Sequence, residues 1–251
     1  MIFVVRHGER ADQMFNKNDQ DIELKFDPPI SDLGTKQSYA TGIEIQALVR
    51  NGFEKGLIST PNPQYVIVSS PFIRCLQTAY HFIKSLPSNS VYKDTIFYEE
   101  GIGEFMGVNL FTKDTLDHLH IRQKSKEQIE DIIPYNIREG FVKEKEHIIR
   151  PKYPENAGTA FERMEACYSR ILEYFMNELN KEGDKVLVLL THAFGVSAVL
   201  SIHNPLFFND TGTEYTTFNQ ILYDDSAKGK GKVLLKLYSK HILDIIAKPK
   251  L

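Results

Sequence analysis

The stretch Ile2-Phe3-Val4-Val5-Arg6-His7-Gly8-Glu9-Arg10 decides how the rest of the chain is read. Its first four residues are a continuous run of β-branched and aromatic side chains, as expected for a strand buried on both faces of a parallel sheet. The run stops at a histidine with an arginine before it and another three residues after it. Uncompensated, Arg6, His7 and Arg10 would repel one another. Something negative belongs among them, and Glu9 alone is a small answer.

The same pattern recurs along the chain. The polar stretch from Ala11 to Pro29 reads as a long loop, after which Ser31 caps a helix with Tyr39, Ile43 and Ala47 on its apolar face. QYVIVSS (64–70) is a second strand, running into Ser70-Pro71 as N-cap and first helical residue. Phe72, Leu76, Ala79 and Ile83 face inward from that helix. A short strand at TIFYE (95–99) leads into the loop EGIGEF (100–105). Between Met106 and Lys152 charge rises and no strand signal is strong; the amphipathic stretch 114–133 lies there, and Pro134 and Pro151 punctuate the segment.

This region, about 106–155, reads as a lid-like insertion covering the sheet edge within one domain spanning 1–251. Thr159 and Glu162 form a capping-box pair, opening a helix with Phe161, Met164, Tyr168, Ile171, Phe175 and Leu179 on one face. KVLVLL (185–190) is another buried strand that delivers Thr191-His192 to the helix FGVSAVLSI, and two partly alternating strands follow at 213–224 and 231–239. Strands alternating with helices predict a three-layer α/β/α sandwich with a mostly parallel central sheet.

Composition bounds the partners. A net charge of −3 and a pI near 6.3 over 251 residues argue against a chain-wide basic surface for nucleic acid, yet allow a local cationic site. No secretory leader pattern and no membrane-length apolar run are read, and Cys75 and Cys167 imply no disulfide framework. The expectation is a cytoplasmic protein with reduced thiols and no membrane partner, in which the sequon at Asn209 has no meaning.

Three strands end in reactive groups. The carboxyl ends of strands in an open α/β sheet converge on one crevice, so His7 and His192 are expected to meet with Arg6, Arg10 and Arg74. Phosphate suits such a pocket, because the guanidinium fork pairs with its oxygens and keeps its charge. Free N–H groups at the start of the Arg74 helix are expected to face the same anion, and Gly8 to let backbone approach it. Positive surroundings lower an imidazole pKa and leave its lone pair free for attack on phosphorus. The leaving oxygen then needs a proton, for which Glu104 is best placed, with Glu99 or Glu100 as alternatives. Arg10 has an alternative use, pairing with Glu9 or a loop carboxylate.

Other features are set aside. GIGEFMG lacks the dinucleotide-binding spacing. His118 and His120, two apart, face different ways on a helix, so no metal site is read there. Cys75 lacks the arginine six residues on that a cysteine phosphatase loop needs, since that position is His81, and reads as core.

RHGER after an N-terminal strand, SPFIRCLQTA, GEF and THAFG, in that order, resemble the histidine phosphatase superfamily, phosphoglycerate-mutase-like branch. FDPPISDLGTKQSYATG resembles the family's segment before its first helix. Arg10, the DPP-I-S-x-x-G pattern and EGIGEF are most similar to the phosphatase domains of the ubiquitin-associated, SH3-containing suppressors of T-cell-receptor signalling and of ecdysteroid-phosphate phosphatases. The resemblance implies a phosphomonoester hydrolase without metal or cofactor. His7 would be its nucleophile, Arg6, Arg10, Arg74 and His192 its phosphoryl ligands, and Glu104 its acid and base.

Mutase-type phosphoryl transfer and phospho-binding without turnover are the alternatives; Glu9-Arg10 and the lack of tryptophan depart from the mutase pattern. The substrate is expected to be a small-molecule or peptide phosphomonoester. Phe105, beside Glu104, suggests an aromatic or apolar leaving group. Oligomeric state is left open, a homodimer included, as some relatives dimerise.

Overall fold

The computed structural model describes residues 1–13, 26–112, 115, 126–142, 149–179, 183–205, 214–222 and 232–237. His118, His120, Asn209 and most of the predicted loop after Ala11 lie outside them. In chain order the elements are β1 (Ile2–Arg6), α1 (Asp32–Glu54), β2 (Gln64–Ser69), α2 (Ile73–Ile83) and β3 (Val91–Tyr98). They continue with α3 (Lys126–Ile132), β4 (Asn136–Glu139), α4 (Ala157–Tyr174), β5 (Lys185–Thr191), α5 (Ala193–His203), β6 (Phe218–Leu222) and β7 (Lys232–Leu237).

The strands form one seven-stranded sheet in the order β4-β3-β2-β5-β1-β6-β7. Its first five members are parallel, while β6 runs antiparallel to β1 and β7 to β6.

The apolar runs are continuous because both faces of the sheet are covered. Phe3, Val5, Ile67, Val188 and Leu190 face a core shared with α1 and α2. Ile2, Val4, Val66, Val68, Leu187 and Leu189 face the other, built on α4 and α5. Burying a Val, Leu or Ile side chain stabilises by about 1.5–3 kcal/mol, so the central strands are the firmest part of the molecule. This is the three-layer α/β/α sandwich.

Three local expectations need correction. On α1, Tyr39 and Ala47 are exposed, whereas Ser38, Thr41, Gly42, Ile45 and Val49 are buried. Small and polar residues form the inner face because α1 lies close against α2: a Cβ on Gly42 would come within 2.8 Å of the Phe82 carbonyl oxygen. The cap of α4 is Asn156, whose side chain accepts from Thr159 N–H while the Thr159 hydroxyl accepts from the Asn156 backbone. Thr159 is therefore the third helical residue rather than the cap. Finally, the 106–155 segment contributes β4, which pairs in parallel with β3. Its short sequence, Asn-Ile-Arg-Glu, carries little strand propensity; tertiary pairing determines it.

Candidate active site

Backbone ladders extend beyond the strands and fix the site residues. His7 N–H donates to Thr191 O at 3.0 Å, Ser70 N–H to Leu190 O at 2.8 Å and Glu99 N–H to Ser69 O at 2.9 Å. Since β2, β5 and β1 are neighbours, His7, Ser70 and His192 meet at one end of the sheet. The His7 and His192 rings lie 5.3 Å apart, edge to face.

His7 is buried, and Nδ1 lies 2.8 Å from Gly8 O. A carbonyl only accepts, so Nδ1 carries the proton and Nε2 keeps its lone pair. Burial lowers the His7 pKa well below the ordinary value, and the charges of Arg74, His192 and Arg6 push the same way. The imidazole is thus neutral at neutral pH. The arginines contribute as the sequence argument expects, with desolvation the larger cause.

Arg74 is fully buried. Its Nη1 donates to Asp27 Oδ1 at 3.2 Å and its Nη2 to Glu104 Oε2 at 3.3 Å. Nη2 also lies 3.1 Å from His192 Nδ1, and the guanidinium carbon sits 4.5 Å from the centre of the Phe72 ring. Asp27 accepts Ile73 N–H on both oxygens, at 3.1 and 3.0 Å. The start of α2 is therefore occupied by a carboxylate and is not free for phosphate. Burial pushes the Asp27 carboxyl up to about 6 despite the charge of Arg74.

Ser70 is likewise not the cap of α2: Phe72 holds that position, and Ser70 Oγ lies 2.8 Å from His192 Nε2. A hydroxyl both donates and accepts, so it serves either tautomer of His192. Burial lowers the His192 pKa to about 4, more than the Glu104 charge restores.

Glu104 is the carboxylate that reaches the imidazoles: its Oε2 lies 3.1 Å from His192 Nδ1, and its Oε1 accepts Phe105 N–H. Glu99 and Glu100 turn elsewhere. Glu99 accepts Phe141 N–H at 2.6 Å and Glu100 pairs with Arg150 at 3.1 Å. Burial raises the Glu104 carboxyl, but the charge and hydrogen bond of His192 and the charge of Arg74 outweigh it and hold it well below the usual carboxylate range. At rest Glu104 is ionised, contrary to the simplest picture of a waiting acid.

His7, Glu104 and His192 offer ligand atoms within 4.8 Å of one another, close enough to bridge a metal ion. Arg74 Nη2 already sits against both Glu104 Oε2 and His192 Nδ1, however, so a cation there would meet a fixed positive charge.

The remaining cations differ in role. Arg6 lies with its guanidinium carbon 4.3 Å from the Tyr215 ring centre, and its Nε is buried with no partner among the described residues; Arg74 Nε is in the same condition. Arg10 pairs with Asp12 through both Nε and Nη2, and Glu9 accepts from Ser31 Oγ at 2.8 Å. The close approach at Gly8 is to α1, not to an anion: a Cβ there would lie 2.7 Å from Gly34 O.

Sequence reading missed Asp27, although it opens the DPP motif, because a loop carboxylate gives no sign of what it caps. It also missed Tyr215 and the buried pair Glu155–Arg163. Cys75 is core as expected, though its Sγ lies 3.6 Å from His192 Nε2.

No protein-family model matches the sequence, and no curated protein matches it. Solved structures do. A phosphoglycerate mutase from Bacillus anthracis is 14% identical with a TM-score of 0.57, over 96% of this chain and 94% of that one. YhfR from Bacillus stearothermophilus is 13% identical with a TM-score of 0.53, over 96% and 98%. A phosphoserine phosphatase mutant from Entamoeba histolytica, crystallised with phosphoserine, is 14% identical with a TM-score of 0.52, also over 96% and 98%. The fold is phosphoglycerate-mutase-like. No helix among the described residues is long and apolar enough to cross a membrane.

Proposed function

We propose that this protein is a phosphomonoester hydrolase of the histidine phosphatase superfamily, working through a phosphohistidine on His7 without a metal. One observation carries the reading: two buried guanidinium Nε groups, on Arg6 and Arg74, have no partner among the described residues, in a site that also holds a neutral imidazole. Buried donors are nearly always satisfied, and a phosphoryl group supplies the missing acceptors. The finer likeness, to the ecdysteroid-phosphate phosphatases and the T-cell-receptor suppressors' phosphatase domains, rests on the DPP-I-S-x-x-G and EGIGEF motifs.

The His7 Nε2 lone pair attacks phosphorus as the ester P–O bond breaks, and the leaving oxygen takes a proton from Glu104. Arg6, Arg74 and His192 hold the equatorial oxygens as charge shifts onto them. Glu104 then receives a proton from water, whose oxygen attacks phosphorus while the P–N pair returns to Nε2. Because resting Glu104 is ionised, it takes up its proton from solvent as the substrate binds. A phosphate dianion beside it offsets the field of the arginines and raises its pKa. The stacked rings of Phe105 and Phe194, 5.2 Å apart next to Glu104, favour an aromatic or apolar leaving group.

The test is turnover of p-nitrophenyl phosphate by wild type and His7→Ala, with 3-phosphoglycerate isomerisation as the competing activity. Hydrolysis that is lost in the variant and unaffected by EDTA supports the reading. Isomerisation without hydrolysis, or hydrolysis abolished by EDTA, refutes it.

A further inference from the structure

We propose that Arg163 and Glu155 are positioning residues for Glu104, setting where its carboxyl meets the leaving oxygen. This rests on the reading of Glu104 as the group that protonates that oxygen. Neither residue touches the reacting atoms.

The Glu104 loop leaves β3 at Tyr98 and passes over α4. Arg163, on α4, directs its guanidinium at the loop backbone: Nη1 donates to Gly101 O at 2.7 Å and Gly103 O at 3.3 Å, and Nη2 to Glu104 O at 3.0 Å. Glu155 closes the arrangement from the other side. Its carboxylate takes Arg163 Nε at 2.6 Å and Nη2 at 2.8 Å, and its Oε2 also accepts Met106 N–H at 3.0 Å. The Glu155 backbone N–H donates to Met106 O at 3.0 Å. Residues 104 and 106 are thus both gripped, two positions apart, by one ion pair.

The pair's side chains are only 5% and 3% exposed, so solvent screening is weak. One turn along α4, Cys167 presses on the same loop, where a Cβ added to Gly101 would lie 2.6 Å from its Sγ. Only arginine has enough donors, in a fixed fork, to serve three carbonyls and a carboxylate together. Lysine keeps the charge but presents a point donor. Buried ion pairs are poor general stabilisers, since well-packed apolar residues often do as well. Serving three carbonyls of one loop, those of Gly101, Gly103 and Glu104, beside a functional carboxylate is a more specific use.

A misplaced acid shows in its leaving-group dependence. Phenyl phosphate needs the proton far more than p-nitrophenyl phosphate does, so loss of proton delivery widens the kcat/KM ratio between them. Arg163→Lys is expected to lower kcat/KM for phenyl phosphate by at least about tenfold and for p-nitrophenyl phosphate by about twofold. Inhibition by inorganic phosphate, held by Arg6, Arg74 and His192, stays within about twofold. Adding Arg163→Lys to Glu104→Gln should widen the ratio no further, because both act on one proton. Glu155→Gln carries the same test if the lysine variant does not fold.

A widened ratio in Glu104→Gln with no widening in Arg163→Lys and Glu155→Gln, or a double variant whose effects multiply, overturns the positioning role alone. A wild-type ratio in Glu104→Gln overturns the acid role of Glu104 itself, and the positioning role with it.

Discussion

Gly8→Ala should slow the proposed hydrolysis without unfolding the protein, because at Gly8 the loop carrying His7 packs directly on the backbone of α1. A Cβ at residue 8 would lie 2.7 Å from Gly34 O, 3.0 Å from Gly34 Cα and 3.1 Å from Gly34 C. All three are backbone atoms in the first turn of α1, so no flexible side chain can yield. To reach ordinary contact at 3.4 Å the loop must move by ~0.7 Å, and displacements near 1 Å at a reacting group cost about 100-fold in rate.

The expected loss in kcat for p-nitrophenyl phosphate is therefore about 10- to 100-fold. Overpacking costs about 1–3 kcal/mol, and reduced freedom of the unfolded chain returns about 0.4–1 kcal/mol. Urea unfolding should then show a net loss of about 1–2 kcal/mol. Gly56→Ala is the control. Residue 56 has φ +70° with nothing within 4 Å of a new Cβ; strain there costs about 1–2 kcal/mol, with unchanged kinetics. A Gly8→Ala enzyme with wild-type kcat would refute the reasoning.

Arg6→Met and Arg74→Met should both abolish measurable phosphate inhibition, yet differ in stability. Arg74→Met strands Asp27 and Glu104 and should cost about 3–5 kcal/mol in urea unfolding, whereas Arg6→Met removes a half-buried guanidinium that lies on the Tyr215 ring and whose Nε has no partner among the described residues, and should cost about 1 kcal/mol or less. Equal losses would contradict the assigned pairing. Phosphate binding at about pH 8 should draw in roughly one proton as Glu104 protonates. Calorimetry would see this as an enthalpy that varies with the buffer's ionisation enthalpy; a buffer-independent enthalpy argues against it.

Buried His7 and His192 have depressed pKa values, about 4 for His192. The unfolded chain takes up their protons first as pH falls, so their effect is to lower Tm from about pH 6.5 toward pH 4. Asp27, raised to about 6, works the other way, losing stability as pH climbs from about 4 to 6. The histidines outnumber it, and thermal melts should show a net loss on acidification that is smaller in His192→Asn. A Tm that rises on acidification would overturn this.

The layers and the meeting of His7, Arg74 and His192 were legible because parallel strands buried on both faces announce themselves as apolar runs and topology brings their carboxyl ends together. The inner face of α1 was not, because a close helix–helix contact selects Ser38, Thr41 and Gly42 over larger apolar residues. β4 was not, because pairing with β3 rather than local propensity makes it a strand. Glu104 could be named from its loop, but its ionisation depends on Arg74 and His192, far away in sequence. Asp27, Glu155 and Arg163 act through backbone groups, and a pattern of side chains carries no record of which carbonyl or N–H each one finds.

The central claim is that phosphorus bonds to His7. Rapid quenching of wild-type enzyme in base, after mixing with excess p-nitrophenyl phosphate, followed by peptide mass mapping should find one phosphoryl group on His7, acid-labile and absent from His7→Ala. A phosphoryl group on another residue, or full turnover with none ever bound, would contradict the account.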